Sequence, residues 1–163
     1  MKESIEFIKN YVKDDDYVVC ATSGGVDSMT LLYLLMLVRK SVNINIVCAH
    51  INHNLREESK EEYEFVKDYC TKNNIMFEGK IFEKNISGNL ESEFRKRRYK
   101  FFDDVVNKYD AKYLFTAHHG DDLIETILMR IVRGSSIDGY SGFEKVTKRN
   151  NYYILRPLIF YTK

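Results

Sequence analysis

Six consecutive residues, Ser23-Gly24-Gly25-Val26-Asp27-Ser28, have the types and spacing to hold a phosphate. They follow one apolar run, residues 17–22, and precede another, residues 29–38, so a glycine-rich turn joins an expected strand to an expected helix. Adjacent glycines let the backbone approach an anion closely. A helix starting there aims its unsatisfied amides and the positive end of its dipole at the same point. The lysine of the ordinary nucleotide-binding loop, GxxxxGKS/T, is missing. Asp27 stands in the turn instead, and a carboxylate beside a phosphate points to a bridging Mg²⁺ rather than an ammonium group. Taken alone, the turn is equally a plain Gly-Gly bend with Asp27 or Ser28 as a helix N-cap.

Three further clusters carry polar chemistry. The run His50-Ile51-Asn52-His53-Asn54-Leu55-Arg56 follows a second strand-like run, residues 44–50. Open α/β sheets bind ligands at the carboxyl ends of their strands, so this run is expected to face the glycine turn. His50 and His53 lack the rest of a metal-ligand set, so zinc is not expected, and locally hydrogen-bonded histidines are the plainer reading. Between residues 95 and 100 five of six positions are basic, from Arg95 to Lys100. On a helix, Arg95 and Arg98 share a side, as do Glu91 and Arg95. One face can therefore present guanidinium groups to phosphates while Lys96 and Lys100 stay in solvent. A solvated surface laced with Glu-Arg pairs is the competing reading. The last cluster is His118-His119-Gly120-Asp121-Asp122-Leu123-Ile124-Glu125-Thr126, followed by Arg130 and Arg133. Asp122 and Glu125 are three apart near an expected helix start, where acidic residues also serve as ordinary dipole partners. Two histidines and three carboxylates crowded at one strand end nevertheless point to metal binding and proton transfer.

The elements that must position these residues alternate. Strands are expected at 17–22, 44–50, 76–82, 113–117 and 152–155, and helices at 4–13, 28–40, 57–73, 91–109 and 121–133. Such alternation implies an α/β fold: a doubly wound parallel sheet of about five strands with helices on both faces. The 163 residues, with a single proline and no low-complexity linker, are expected to form one domain over 1–163. A net charge of +1 gives no global pull toward nucleic acid, so any such contact must be a local patch. Cys20, Cys48 and Cys70 are odd in number and form no CxxC pair, which suits a reducing, cytoplasmic setting. No apolar stretch approaches the roughly 20 residues that span a bilayer, and no signal peptide precedes the first helix.

Together the four clusters resemble the N-type ATP pyrophosphatases, or PP-loop family, with the signature SGGxDS after the first strand. The runs HINHNLR, ESEFRKRRY and AHHGDDLIETILMRIVRG resemble segments of the tRNA(Ile)-lysidine synthetase family within it. The resemblance covers most of the chain, from Val18 to Pro157, and implies an adenine nucleotide alpha hydrolase-like fold. It implies ATP and Mg²⁺ as cofactors, with free L-lysine and isoleucine tRNA bearing a CAU anticodon as partners. It also implies that the wobble cytidine is adenylated at its carbon 2 oxygen and then attacked by the lysine ε-amino group, with loss of AMP. On this pattern Ser23, Gly24, Gly25, Val26, Asp27 and Ser28 bind ATP, and Asp27 and Asp122 are candidate Mg²⁺ ligands. Asp27, Arg98, Asp122 and Glu125 are candidate catalytic residues, while His50, Asn52, His53, Arg56, Arg95, His119, Arg130 and Arg133 are candidate substrate or tRNA contacts. Family members continue beyond Arg156-Pro157-Leu158 into tRNA-gripping domains, so a truncated catalytic domain is expected. A tRNA thiolase of the same superfamily, using exposed cysteines, and a non-catalytic nucleotide sensor are the alternatives. Phe94 and Leu123 depart from the usual small residue and glutamine, which bears on packing and substrate fit.

Overall fold

The computed structural model describes residues 1–52, 59–82, 90–132, 144–159 and 161, with the backbone alone at 90–92, 130 and 131. His53, Arg56 and Arg133, and the side chains of Glu91 and Arg130, lie outside the described residues.

Eleven described elements follow in order: α1 (Lys2–Lys9), β1 (Tyr17–Thr22), α2 (Val26–Arg39), β2 (Asn45–Asn52), α3 (Ser59–Lys72), β3 (Met76–Ile81), α4 (Leu90–Lys108), β4 (Tyr113–Phe115), α5 (Gly120–Val132), β5 (Val146–Arg149) and β6 (Tyr152–Leu155). The sheet order is β3-β2-β1-β4-β6-β5, with every pairing parallel except β5 with β6. The chain builds outward from β1 through β2 to β3 and then crosses back to β4 on the other side of β1, so the β1–β4 border is a topological switch point, where such sheets form a ligand crevice.

Period-two alternation along the strands builds two cores. Val18, Cys20, Ile46 and Cys48 pack with α2 residues such as Leu31, Leu34 and Leu35, and with Val66 and Cys70 of α3. Val19, Val47 and Ala49 face the other way, onto Phe101, Phe102, Val105 and Val106 of α4. Strands buried on both faces become continuous apolar runs, as Val18-Val19-Cys20 shows. Each fully buried leucine of α2 contributes about 1.5–3 kcal/mol, and Leu31, Leu32, Leu34 and Leu35 are all inaccessible to solvent. That helix is the rigid mount of the glycine turn at its N-terminus.

The structure departs from the sequence reading at three places. The sheet has six strands rather than about five, because β5 pairs antiparallel with β6 across the two-residue turn Asn150-Asn151. Helix α1 stops at Lys9 although Ile8 and Val12 are both buried, since the apolar period continues through a turn in which the Val12 amide donates to the Ile8 carbonyl. Strand β2 runs on to Asn52, two residues past the expected end at His50, so Ile51 and Asn52 belong to the strand rather than to a loop. Among the described residues no helix is long and apolar enough to cross a membrane.

Candidate active site

The glycine turn is held open by serines. Ser28 Oγ donates to the Gly25 carbonyl (2.9 Å), accepts from the Ser23 amide (3.1 Å) and lies 3.1 Å from Ser23 Oγ. These contacts occupy the Ser28 hydroxyl, which makes it a brace for the turn more than a ligand for phosphate. Gly25 is the N-cap of α2 and offers no side-chain acceptor, so the positive end of the helix dipole opens directly at the turn. Gly24 has φ +91°, and among the described residues a Cβ there meets Val66 Cγ2 at 3.5 Å and Glu62 Cβ at 3.7 Å, both ordinary contacts. Gly24→Ala is therefore a backbone-strain change and not a clash. It is expected to cost about 1–2 kcal/mol in denaturant unfolding, with the change in midpoint as the readout.

Beside the turn, at the carboxyl ends of β1 and β4, lies a cavity of about 260 Å³. Ala21 and Thr22 of β1, Ile51 of β2 and the segment Thr116-Ala117-His118 after β4 form its base. Ser23, Gly25, Asp27 and Ser28 form one wall, and Arg98, Tyr99 and Phe102 of α4 the other. The site thus combines an apolar base, a glycine turn at a helix N-terminus, a carboxylate and a guanidinium. Burial, reinforced by Arg156, Arg98 and Arg95, pushes His118 down to about 4, so its imidazole is neutral at pH 7. His118 Nδ1 lies 2.9 Å from Thr116 Oγ1, which orients the ring. An unfolded chain binds a proton at this histidine below its ordinary value of 6.5, and the folded one does so only near 4. Stability from this source is present above pH 6.5 and is lost as pH falls toward 4. Melting temperature is expected to drop across that window, and less steeply in His118→Gln.

A profile of the PP-loop domain family matches residues 1–163, the whole chain. The chain belongs to the PP-loop domain family. It is 40% identical over 153 residues to a tRNA(Ile)-lysidine synthase of Staphylococcus aureus, covering 91% of this chain and 36% of that protein. It is 39% identical over 166 residues to one of Bacillus cereus, covering 97% and 35%. The chain therefore spans about a third of the length of these relatives. Two solved structures share the fold. One is a U34-tRNA thiolase of Methanococcus maripaludis with its [4Fe-4S] cluster, at TM-score 0.78 and 18% identity, covering 97% of this chain and 58% of that one. The other is an FMN adenylyltransferase of Candida glabrata with FMN and an ATP analogue, at TM-score 0.58 and 14% identity, covering 98% and 50%.

The PP-loop turn meets the start of α5 through His119, a nearly buried side chain. His119 Nε2 is 3.7 Å from Asp27 Oδ2 and 3.5 Å from Asp122 Oδ2, and Nδ1 is 3.8 Å from Asp121 Oδ2. Three carboxylates from two elements thus converge on one imidazole. Asp122 Oδ2 also accepts from the His119 amide at 2.9 Å, which is half of a capping box and explains why an acidic residue stands there.

The remaining sequence candidates separate by position. Arg98 and the turn line the cavity, and Asp122 reaches the turn through His119. Arg95 approaches Tyr99, 5.9 Å from its ring centroid. Glu125 does not line the cavity; it borders a second depression on α5 with Asp121 and the exposed Ile124, Leu128, Met129 and Val132. His50 and Asn52 do not face the cavity as the strand-end rule suggested. They share the α3 side of β2, opposite Ile51, where His50 Nδ1 donates to the Thr22 carbonyl (2.8 Å) and Asn52 Nδ2 to the Ser59 carbonyl (2.9 Å). Burial lowers the His50 titration, so it is a neutral core histidine. Sequence reasoning named His118 only as one member of a histidine-carboxylate cluster and left out Tyr99, Phe102 and Ile51 as site residues. Strand alternation could have chosen Ile51 over its neighbours, and the helical offset of four could have joined Phe102 to Arg98.

Proposed function

We propose that this chain uses ATP to ligate lysine to carbon 2 of the wobble cytidine of isoleucine tRNA with a CAU anticodon. The observation that carries the reading is one cavity shared by the PP-loop turn and the Arg98-Tyr99 pair of α4, in a chain similar along nearly its full length to tRNA(Ile)-lysidine synthases. In the first step the carbon 2 oxygen attacks the α-phosphorus and pyrophosphate leaves. In the second, the lysine ε-nitrogen attacks carbon 2, loses its proton, and AMP departs with that oxygen.

The chain's own groups match these demands. The amides at the start of α2 and the turn around Gly24 and Gly25 receive phosphate oxygens. Arg98 balances charge developing on the α-phosphate or on the adenylated base. His118, neutral at pH 7, offers hydrogen bonding without adding charge. Asp122 and Glu125 supply lysine recognition, base or metal roles. Among the described residues no three His, Cys, Asp or Glu side chains form a ready metal cage. Asp27 and Asp122 both flank His119 Nε2, and they are the carboxylates that would hold a Mg²⁺ whose remaining ligands would come from substrate phosphates and water. When bound, the ion supplies charge neutralisation on the phosphates.

Sulfur transfer fits less well. Cys20, Cys48 and Cys70 are fully buried, none lines the cavity, and burial pushes the Cys20 thiol up to about 12. The test is to incubate the protein with ATP, Mg²⁺, radiolabelled lysine and an isoleucine tRNA transcript. Label is expected in the tRNA. Pyrophosphate release supported by another acceptor, with no label in tRNA, would overturn the reading.

A further inference from the structure

We propose that Arg149, on the edge strand β5, is a positioning residue for the nucleotide cavity although it does not line it. The inference rests on the ATP reading of that cavity. Arg149 forks onto Asp103 of α4, with Nε 2.9 Å from Oδ1 and Nη2 2.8 Å from Oδ2. Tyr152, its cross-strand partner in β6, donates its hydroxyl to the same Oδ1 at 2.7 Å. Burial tends to raise the Asp103 carboxyl, and donation from Arg149 and Tyr152 more than offsets it, so the carboxylate stays ionised at neutral pH. The Arg149 guanidinium also lies 4.6 Å from the ring centroid of Tyr99, one turn before Asp103, and Tyr99 is a cavity wall beside Arg98. A single side chain of the β5–β6 hairpin therefore holds both the backbone position of α4, through Asp103, and the ring that borders the ligand.

Only a planar fork can do both. Lysine keeps the charge but loses the two parallel hydrogen bonds and the stacking. The helix has a second carboxylate clamp that serves as an internal control: Glu78 of β3 accepts from Lys108 Nζ and Tyr109 Oη, each at 2.6 Å. None of those three residues lines the cavity. Both clamps anchor α4, and the Asp103 clamp alone of the two touches the cavity wall.

Calorimetric titration of the chain with Mg²⁺ and α,β-methylene-ATP distinguishes the roles. Arg149→Lys is expected to weaken binding by about 5–30-fold, whereas Glu78→Gln, with a similar loss of melting temperature, stays within about twofold. In turnover the loss falls on the ATP KM, with kcat at saturating ATP falling by less than about threefold. Should Arg149→Lys unfold at the assay temperature, Tyr152→Phe reads the same clamp, with an expected weakening of about 2–5-fold. Wild-type affinity in Arg149→Lys, or equal weakening in Glu78→Gln, would overturn the inference. Failure of the unmodified chain to bind the analogue would overturn the ATP reading and the inference with it.

Discussion

Replacing Asp27 with asparagine is expected to lower ATP-dependent pyrophosphate release by at least about 10²-fold while leaving the fold intact. The side chain stands in the first turn of α2, lines the cavity and is 37% exposed, so its removal opens no core void. Loss of an acidic group from a helix start costs about 0.3–1 kcal/mol at most, far less than the α2 leucines contribute. Asparagine keeps the shape and can still accept a hydrogen bond, but it loses the charge that a metal–phosphate bridge needs. Rapid-quench measurement of pyrophosphate, paired with a denaturation curve, separates the two effects. A wild-type rate at unchanged stability would remove Asp27 from the chemistry.

Arg98→Ala is expected to slow the adenylation step by about 10²-fold. Its guanidinium is the cation of α4 that lines the cavity, 5.8 Å from the Tyr99 ring centroid. Nothing in the turn replaces it, since the lysine of ordinary nucleotide loops is missing. Lysine at position 98 is expected to restore only part of the rate, because it offers a point charge in place of a fork. The same variant carries an independent reporter. Burial and then Arg156 do most to hold His118 down, with Arg98 adding to them, so Arg98→Ala is expected to raise the His118 titration followed by NMR. An unmoved His118 together with a wild-type adenylation rate would place the guanidinium outside the site.

How far the sequence disclosed this arrangement depended on local pattern. Strands β1 and β6 fall on the expected ranges 17–22 and 152–155 residue for residue, because both are apolar runs bounded by polar turns. The glycine turn between β1 and α2 was equally legible as a turn, since Gly24-Gly25 between strand and helix leaves few conformations open. Strand β5 was not, because Val146-Thr147-Lys148-Arg149 is short, polar at three of its four positions and on the sheet edge, where only one face needs burial. Its signal was the Asn150-Asn151 turn ahead of Tyr152, with Asn150 at φ +48°. Missing that strand hid Arg149 and its hold on Asp103. Nor does a strand-end motif say which side chains face the ligand: alternation sends Ile51 into the cavity and His50 into the opposite core. Asp122 combines two readings that the sequence left open, since it both caps α5 and approaches Asp27 through His119.

The sharpest discrimination comes from an isotope. Prepare isoleucine tRNA carrying ¹⁸O at the carbon 2 oxygen of the wobble cytidine, and run a single turnover with ATP, Mg²⁺ and lysine. In the proposed reaction that oxygen attacks the α-phosphorus and leaves with it, so one ¹⁸O per AMP is expected, with unlabelled pyrophosphate and lysine attached at the wobble position. Unlabelled AMP, or ADP and phosphate as the products, would contradict adenylation of the base in this cavity.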